Sequence, residues 1–141
     1  MLEILLVTHG GFARGILSTL GMIAGDVDAV EAMSVEEGDD PGQFVNELRA
    51  KVNELDEDPN IDGVLVLVDL LGGTPSNSVT QILRDADPSK LRCVTGLNFP
   101  MLVEAVFSRD TMSLPELEAS CIEAAKNGVI SLTELFGGTD S

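Results

Sequence analysis

The sequence has no tryptophan, no tyrosine, one histidine and two cysteines among 141 residues. It is also short of cations. Lysine and arginine total 8 against 24 aspartates and glutamates, for a formal net charge of −16. Each shortage excludes something. Such a field repels phosphate backbones and anionic headgroups, so nucleic acid and membrane surfaces are unsuitable partners, and a basic docking face fits better. Without Trp, Tyr or a GxxxxGK loop, the chain lacks the stacking aromatics or phosphate loop of a flavin or nucleotide binder. Cys93 and Cys121 form no CxxC pair and lie in apolar surroundings, "RCVTG" and "ASCIEAA". They read as buried free thiols, and with a single histidine no metal site is expected. No apolar run reaches the ~18 residues of a membrane span. "MLEILLVTHGG" has neither the basic region nor the small-residue cleavage site of a signal peptide. A cytoplasmic protein is expected.

What is present is enough apolar character, 44 %, to pack one domain of this length. "LEILLVT", 2–8, reads as a strand buried on both faces, as in parallel sheets. Phe12, Ile16, Leu20 and Ile23 follow at helical spacing, and Gly25 ends that helix. "DAVEAMSV", 28–35, suits a less buried strand. Asp40 is placed as N-cap and Pro41 as first residue of a helix carrying Phe44, Leu48, Val52 and Leu55. "GVLVLVDL", 63–70, is the strongest strand signal. A helix with Val79, Ile82 and Leu83 follows, then a strand at 91–97 and a helix opened by Pro100. Ser113 and Glu116 have capping-box spacing at the head of a helix that Asn127 and Gly128 stop. "VISLTEL", 129–135, alternates and reads as a fifth, edge strand, and 136–141 as a flexible tail after a single domain spanning 1–135. Strands alternating with helices imply a three-layer α/β sandwich with right-handed crossovers and a mostly parallel sheet. The expected strand order is 2-1-3-4, with strand 5 at the edge, a flavodoxin-like topology.

In that order the chain reverses direction between strands one and three, and ligands bind outside the carboxyl ends of strands at such a point. His9 follows strand one and Asp69 ends strand three. Neighbouring strands lie ~4.8 Å apart, so the two side chains should meet. A carboxylate that accepts the proton of one ring nitrogen fixes the tautomer and leaves the other nitrogen free to attack. No serine or cysteine nucleophile accompanies the pair, which makes His9 itself the candidate. In "GGTPSN", 72–77, Thr74 is placed as N-cap and Pro75 as first helical residue. Gly72 and Gly73 let backbone N–H groups approach an anion at the helix N-terminus. Gly10 and Gly11 offer a second cradle. An imidazole nucleophile beside a phosphate cradle points to a histidine that carries a phosphoryl group.

"VTHGGFARG", "VLVLVDLLGGTPSN" and "GLNFPMLVEAV" occur in this order, and together they resemble the IIA component of the sugar phosphotransferase system, mannose/fructose/sorbose type. The resemblance covers about residues 1–135. It implies that His9 accepts a phosphoryl group from the phosphohistidine of HPr. The group then passes to a IIB domain for sugar uptake or for regulation, with membrane IIC and IID components involved only indirectly. Asp69 matches the orienting carboxylate and Thr74 the hydroxyl beside the phosphate. No cofactor is implied. A homodimer is, in some members with the last strand paired to the other subunit. Asn98, Pro100 and Met101 are expected at the crevice edge, as partner-docking residues. With the chain ending at Ser141, a stand-alone IIA unit is expected.

Two rivals fit the fold class. A receiver domain, phosphorylated on aspartate, needs an acidic pair after strand one to hold Mg²⁺, where this chain reads "THGG". A non-catalytic regulatory binding module would keep its partner when His9 is replaced.

Overall fold

The computed structural model describes residues 1–137. The elements are β1 (Leu2–His9), α1 (Phe12–Ala24), β2 (Val30–Val35), α2 (Pro41–Glu57), β3 (Gly63–Val68), α3 (Gly73–Leu83), β4 (Leu91–Val94), α4 (Phe99–Ser108), α5 (Leu114–Asn127) and α6 (Leu132–Gly137). The four strands form one parallel sheet in the order β2-β1-β3-β4. Alternate side chains of the strands build two cores. Ile4, Leu6, Leu65 and Leu67 meet Ile16, Leu20, Leu102 and Leu117 of α1, α4 and α5. Leu5, Val7, Val66 and Val68 meet Phe44, Leu48, Val79 and Ile82 of α2 and α3. Each of these side chains, fully buried, contributes about 1.5–3 kcal/mol of transfer free energy. This is the expected three-layer arrangement, and the period-two pleat of β1 and β3 divides the apolar residues between its faces.

The helix boundaries follow local chemistry. Asp40 caps α2 by accepting the Gln43 N–H at 2.9 Å, with Pro41 opening the helix. Ser113 and Glu116 form the complete reciprocal capping box on α5. At the amino ends of the strands, Arg109 is buried and donates to the carbonyls of Leu2, Asp28 and Ala29. It ties the end of α4 to the start of β1 and to the turn before β2. Nothing in the spacing of "SRD" announced that role.

The carboxy-terminal expectation is corrected. Residues 129–135 form no strand. Ser131 instead accepts the Glu134 N–H at 3.1 Å and heads α6. The S-x-x-E spacing and the Leu132–Leu135–Phe136 helical spacing prevail over a short alternation that has no neighbouring strand to pair with. The expected tail likewise begins inside α6, at Phe136 and Gly137, and residues 138–141 lie outside the described residues. Among the described residues no helix is long and apolar enough to cross a membrane.

Candidate functional site

His9 is the last residue of β1, at the carboxyl edge of the sheet. Its ladder partner on one side is Val35, and on the other side Val7 pairs with Val68. Asp69 therefore emerges from β3 directly beside the end of β1, although it is 60 residues away in sequence. Its Oδ2 accepts two hydrogen bonds at 2.9 Å, from the His9 backbone N–H and from His9 Nδ1. Its Oδ1 accepts the Leu70 N–H at 3.1 Å. A carboxylate offers no hydrogen, so the ring proton sits on Nδ1 and Nε2 of the neutral imidazole is bare. Burial raises the pKa of the Asp69 carboxyl, but the bonds from the His9 backbone and ring outweigh it and hold the group below the ordinary carboxylate value. The Asp69 side chain is 14 % exposed and that of His9 46 %, so the acid is sheltered while the base faces solvent.

The bare nitrogen faces the start of α3. A Cβ placed on Gly73 would lie 3.0 Å from both Cε1 and Nε2 of His9. Gly73 also has φ +82° and Gly72 φ +92°. Glycine is thus required at 73 for close approach as well as for backbone conformation. The expected cap is corrected here. The N-cap of α3 is Gly72, the helix starts at Gly73, and no side chain caps it. Left-handed glycines start the helix two residues early, so the Thr74 side chain is not spent on capping. The Gly73 and Thr74 N–H groups head an uncapped N-terminus, where the helix dipole favours an anion.

A second helix begins on the other side of His9. Gly10, at φ +53°, turns the chain and donates its N–H to Val35 O at 2.8 Å. Gly11 is the N-cap of α1, again without a side-chain cap bond. The buried Thr8 hydroxyl accepts the Ala13 N–H at 3.0 Å and anchors this helix start to β1. The sequence reading missed Thr8, because it lies outside the usual N-cap position.

The β4–α4 loop borders the same edge through the bond from Leu97 N–H to Val68 O at 3.0 Å. Asn98 caps α4 by accepting the Met101 N–H at 3.0 Å and donates to Ala125 O at 3.1 Å. Pro100 packs against Gly128, where an added Cβ would come within 2.5 Å of its ring. Met101 is 1 % exposed within the core between α4 and the sheet. It is therefore withdrawn as a docking contact, because the α4 face that packs on the sheet carries Met101, Leu102, Ala105 and Val106.

Cys93 is half-buried and Cys121 fully buried, and burial pushes both thiols up to about 12, out of reach of thiolate chemistry at neutral pH. No cluster of three or more His, Cys, Asp or Glu side chains suited to a metal ion occurs among the described residues. A cleft of about 570 Å³ opens between α2, β3 and α3 near Asp62 and Lys90. It lies at the amino ends of the strands, away from His9.

Comparison with known proteins places the fold in a family. The chain is similar to the mannose-specific EIIAB component of the phosphotransferase system (PTS) of Escherichia coli. The two are 33 % identical over 132 residues, which is 93 % of this chain and 39 % of that protein. The chain thus spans well under half the length of this relative. It is 28 % identical over 118 residues to the PTS fructose-specific EIIA component of Bacillus subtilis, covering 83 % of this chain and 77 % of that one. The crystal structure of the phosphotransferase system component EIIA from Streptococcus agalactiae superposes with a TM-score of 0.84 at 32 % identity. It covers 94 % of this chain and 98 % of the other. Residues 3–122 match the family model described as the PTS system fructose IIA component, and the chain belongs to that family of mannose/fructose/sorbose-type IIA components.

Proposed function

We propose that the protein is a phosphohistidine carrier of the bacterial phosphoenolpyruvate-dependent phosphotransferase system. It takes a phosphoryl group from HPr onto His9 and gives it to a IIB component. The observation that carries this reading is the 2.9 Å contact between His9 Nδ1 and Asp69 Oδ2. A carboxylate there calls for the proton on Nδ1 and leaves Nε2 bare beside Gly73. In the forward step Nε2 attacks phosphorus in line, a new N–P bond forms, and the donor's N–P bond breaks with its electron pair returning to the donor imidazole. The His9 ring keeps its Nδ1 proton and gains positive character, which the Asp69 carboxylate stabilises. The Gly73 and Thr74 N–H groups and the Thr74 hydroxyl face the equatorial oxygens, and Gly10 and Gly72 give the backbone room to approach. Neither a metal nor an organic cofactor enters this step.

HPr and IIB dock in turn over the half-exposed imidazole, with Asn98 and Pro100 at the rim. The protein works in the cytoplasm as a homodimer. The dimer reading is supported by the exposed apolar side chains Val129, Ile130, Leu132, Leu135 and Phe136, which a second copy would cover.

The test is intact-protein mass after incubation with phosphoenolpyruvate, enzyme I and HPr, alongside His9→Gln. One added phosphate on the wild type, labile in acid, stable in alkali and absent from the variant, is expected. Absence of phosphate on folded wild type, also with HPr from the source organism, overturns the proposal.

A further inference from the structure

β1 carries a carboxylate where its pattern calls for an apolar side chain. Glu3 sits between Leu2 and Ile4 and is 2 % exposed. Its ladder partner in β3 is Val64, which brings no charge. On the other side β2 pairs Glu31 with Leu5. Strand residues two apart share a face, so Glu3 and Glu31 project together into the layer covered by α2. There Lys51 Nζ donates to Glu31 Oε1 at 2.9 Å and to Glu54 Oε2 at 3.2 Å. Arg109 is the other cation that acts on Glu3. Its guanidinium hydrogen bonds go to the carbonyls of Leu2, Asp28 and Ala29. Glu3 Oε2 is buried without a hydrogen-bond partner among the described residues.

An ionised Glu3, buried beside the partly exposed Glu31 carboxylate and with one lysine already divided between Glu31 and Glu54, is repelled by its neighbour and leaves a buried acceptor unsatisfied. A proton on Glu3 removes both problems, because a carboxylic acid donates where a carboxylate cannot. We propose that Glu3 is protonated at neutral pH and donates to the Glu31 carboxylate, making the β1–β2–α2 layer a proton-holding element whose stability falls as that proton is lost.

The electrostatics agree in direction on both partners. Burial first, then the hydrogen bond and charge of Glu31, raise Glu3 from 4.5 to about 8, against the smaller pull of Lys51 and Arg109. Glu31 moves the other way, lowered by its hydrogen bonds to Glu3 and Lys51. Because the folded pKa of Glu3 lies above its unfolded value, its contribution is complete below about pH 4.5 and is lost as the pH rises toward about 8. Across that window the folded state holds one more proton than the unfolded state. The folding equilibrium constant then drops about tenfold per pH unit.

Two measurements on the full chain decide the matter. The ¹³C carboxyl resonance of Glu3 is followed from pH 4 to 10, and urea unfolding of wild type and Glu3→Gln is compared at pH 5.5, 6.5 and 7.5. The expected result is a Glu3 midpoint near 8, with a pH-dependent loss of stability in wild type that is absent from Glu3→Gln, whose amide keeps a donor in place of the acid. In Glu31→Gln the Glu3 midpoint moves down, since the neighbouring charge is gone. A Glu3 resonance with its midpoint below pH 7 overturns the proposal, as does a Glu3→Gln variant with the full wild-type pH slope. The wild-type titration stands alone if the variant does not fold.

Discussion

Gly73→Ala separates the contact between α3 and His9 from the backbone conformation that creates it. The new Cβ would sit 3.0 Å from Cε1 and Nε2 of His9. Ordinary carbon contacts are about 3.5–4.0 Å. The ring must therefore retreat by roughly half an ångström or more, yet Nδ1 is tethered to Asp69 at 2.9 Å. Misplacing a reacting group by about 1 Å can lower a rate about 100-fold, so phosphoryl uptake from phospho-HPr should slow by roughly 10- to 100-fold. The positive φ adds a stability cost of about 1–3 kcal/mol. Gly25→Ala is the matched control. Gly25, the C-cap of α1 and outside the anion cradle, has φ +68°, but nothing lies within 4 Å of the Cβ it would gain. Both variants should lose comparable stability in urea, whereas in rapid-quench uptake only Gly73→Ala should show the large defect. Equal uptake rates in the two variants would refute the argument that the Gly73 surface fixes Nε2.

Asp69→Asn should fold but lose the carboxylate charge and one of the two acceptor oxygens that fix the Nδ1–H tautomer, and transfer should slow by about 100-fold or more in single-turnover uptake. The lowered pKa of Asp69 means that its stabilising contribution is complete above the ordinary 3.8 and vanishes as the pH falls through the lower folded value. The unfolding curves of wild type and Asp69→Asn should therefore converge only in strong acid. Asn98→Ala removes the α4 cap and the donor to Ala125 O. It should cost about 1–2 kcal/mol, seen as a melting-temperature drop of about 3–8 °C.

The pairing of His9 with Asp69 was legible because it rests on few steps. The apolar runs of β1 and β3 fix two buried parallel strands, their alternation with helices fixes the layers, and the strand order brings their carboxyl ends together. The features that were not legible depend on geometry that residue types do not specify. "GGTP" offers two helix starts, and the left-handed glycines at 72 and 73 select the earlier one. Met101 lies one residue from an edge proline but one helical position further round, which turns it into the core. "VISLTEL" satisfies both a strand and a capped-helix pattern, and a strand reading needs a partner strand that the sequence cannot supply. Thr8 and Arg109 act through distant backbone groups. Their roles appear only when β1, α1 and the turn before β2 are assembled.

Charge and exposure together favour the open edge at His9, over the cleft near Asp62 and Lys90, for the proposed phosphoryl chemistry. Around His9 the built-in positive ends are the N-termini of α1 and α3, whose N-cap glycines bring no side-chain cap. The nearby Arg14 is exposed and paired loosely with Glu36 at 3.7 Å. Such a pair is worth about 0–1 kcal/mol. A net charge of −16 and the Asp69 carboxylate disfavour a free phosphate ion resting at this spot. A phosphoryl group bonded covalently to Nε2 needs no such affinity. It needs an oriented nucleophile, donors for its oxygens and an approach for the partner's imidazole. An enzyme acting on a small molecule gains by enclosing its nucleophile. On the proposed reading, a carrier that exchanges its load with two proteins must keep the nucleophile within their reach, and a sheltered Asp69 beneath a half-exposed His9 fits both demands.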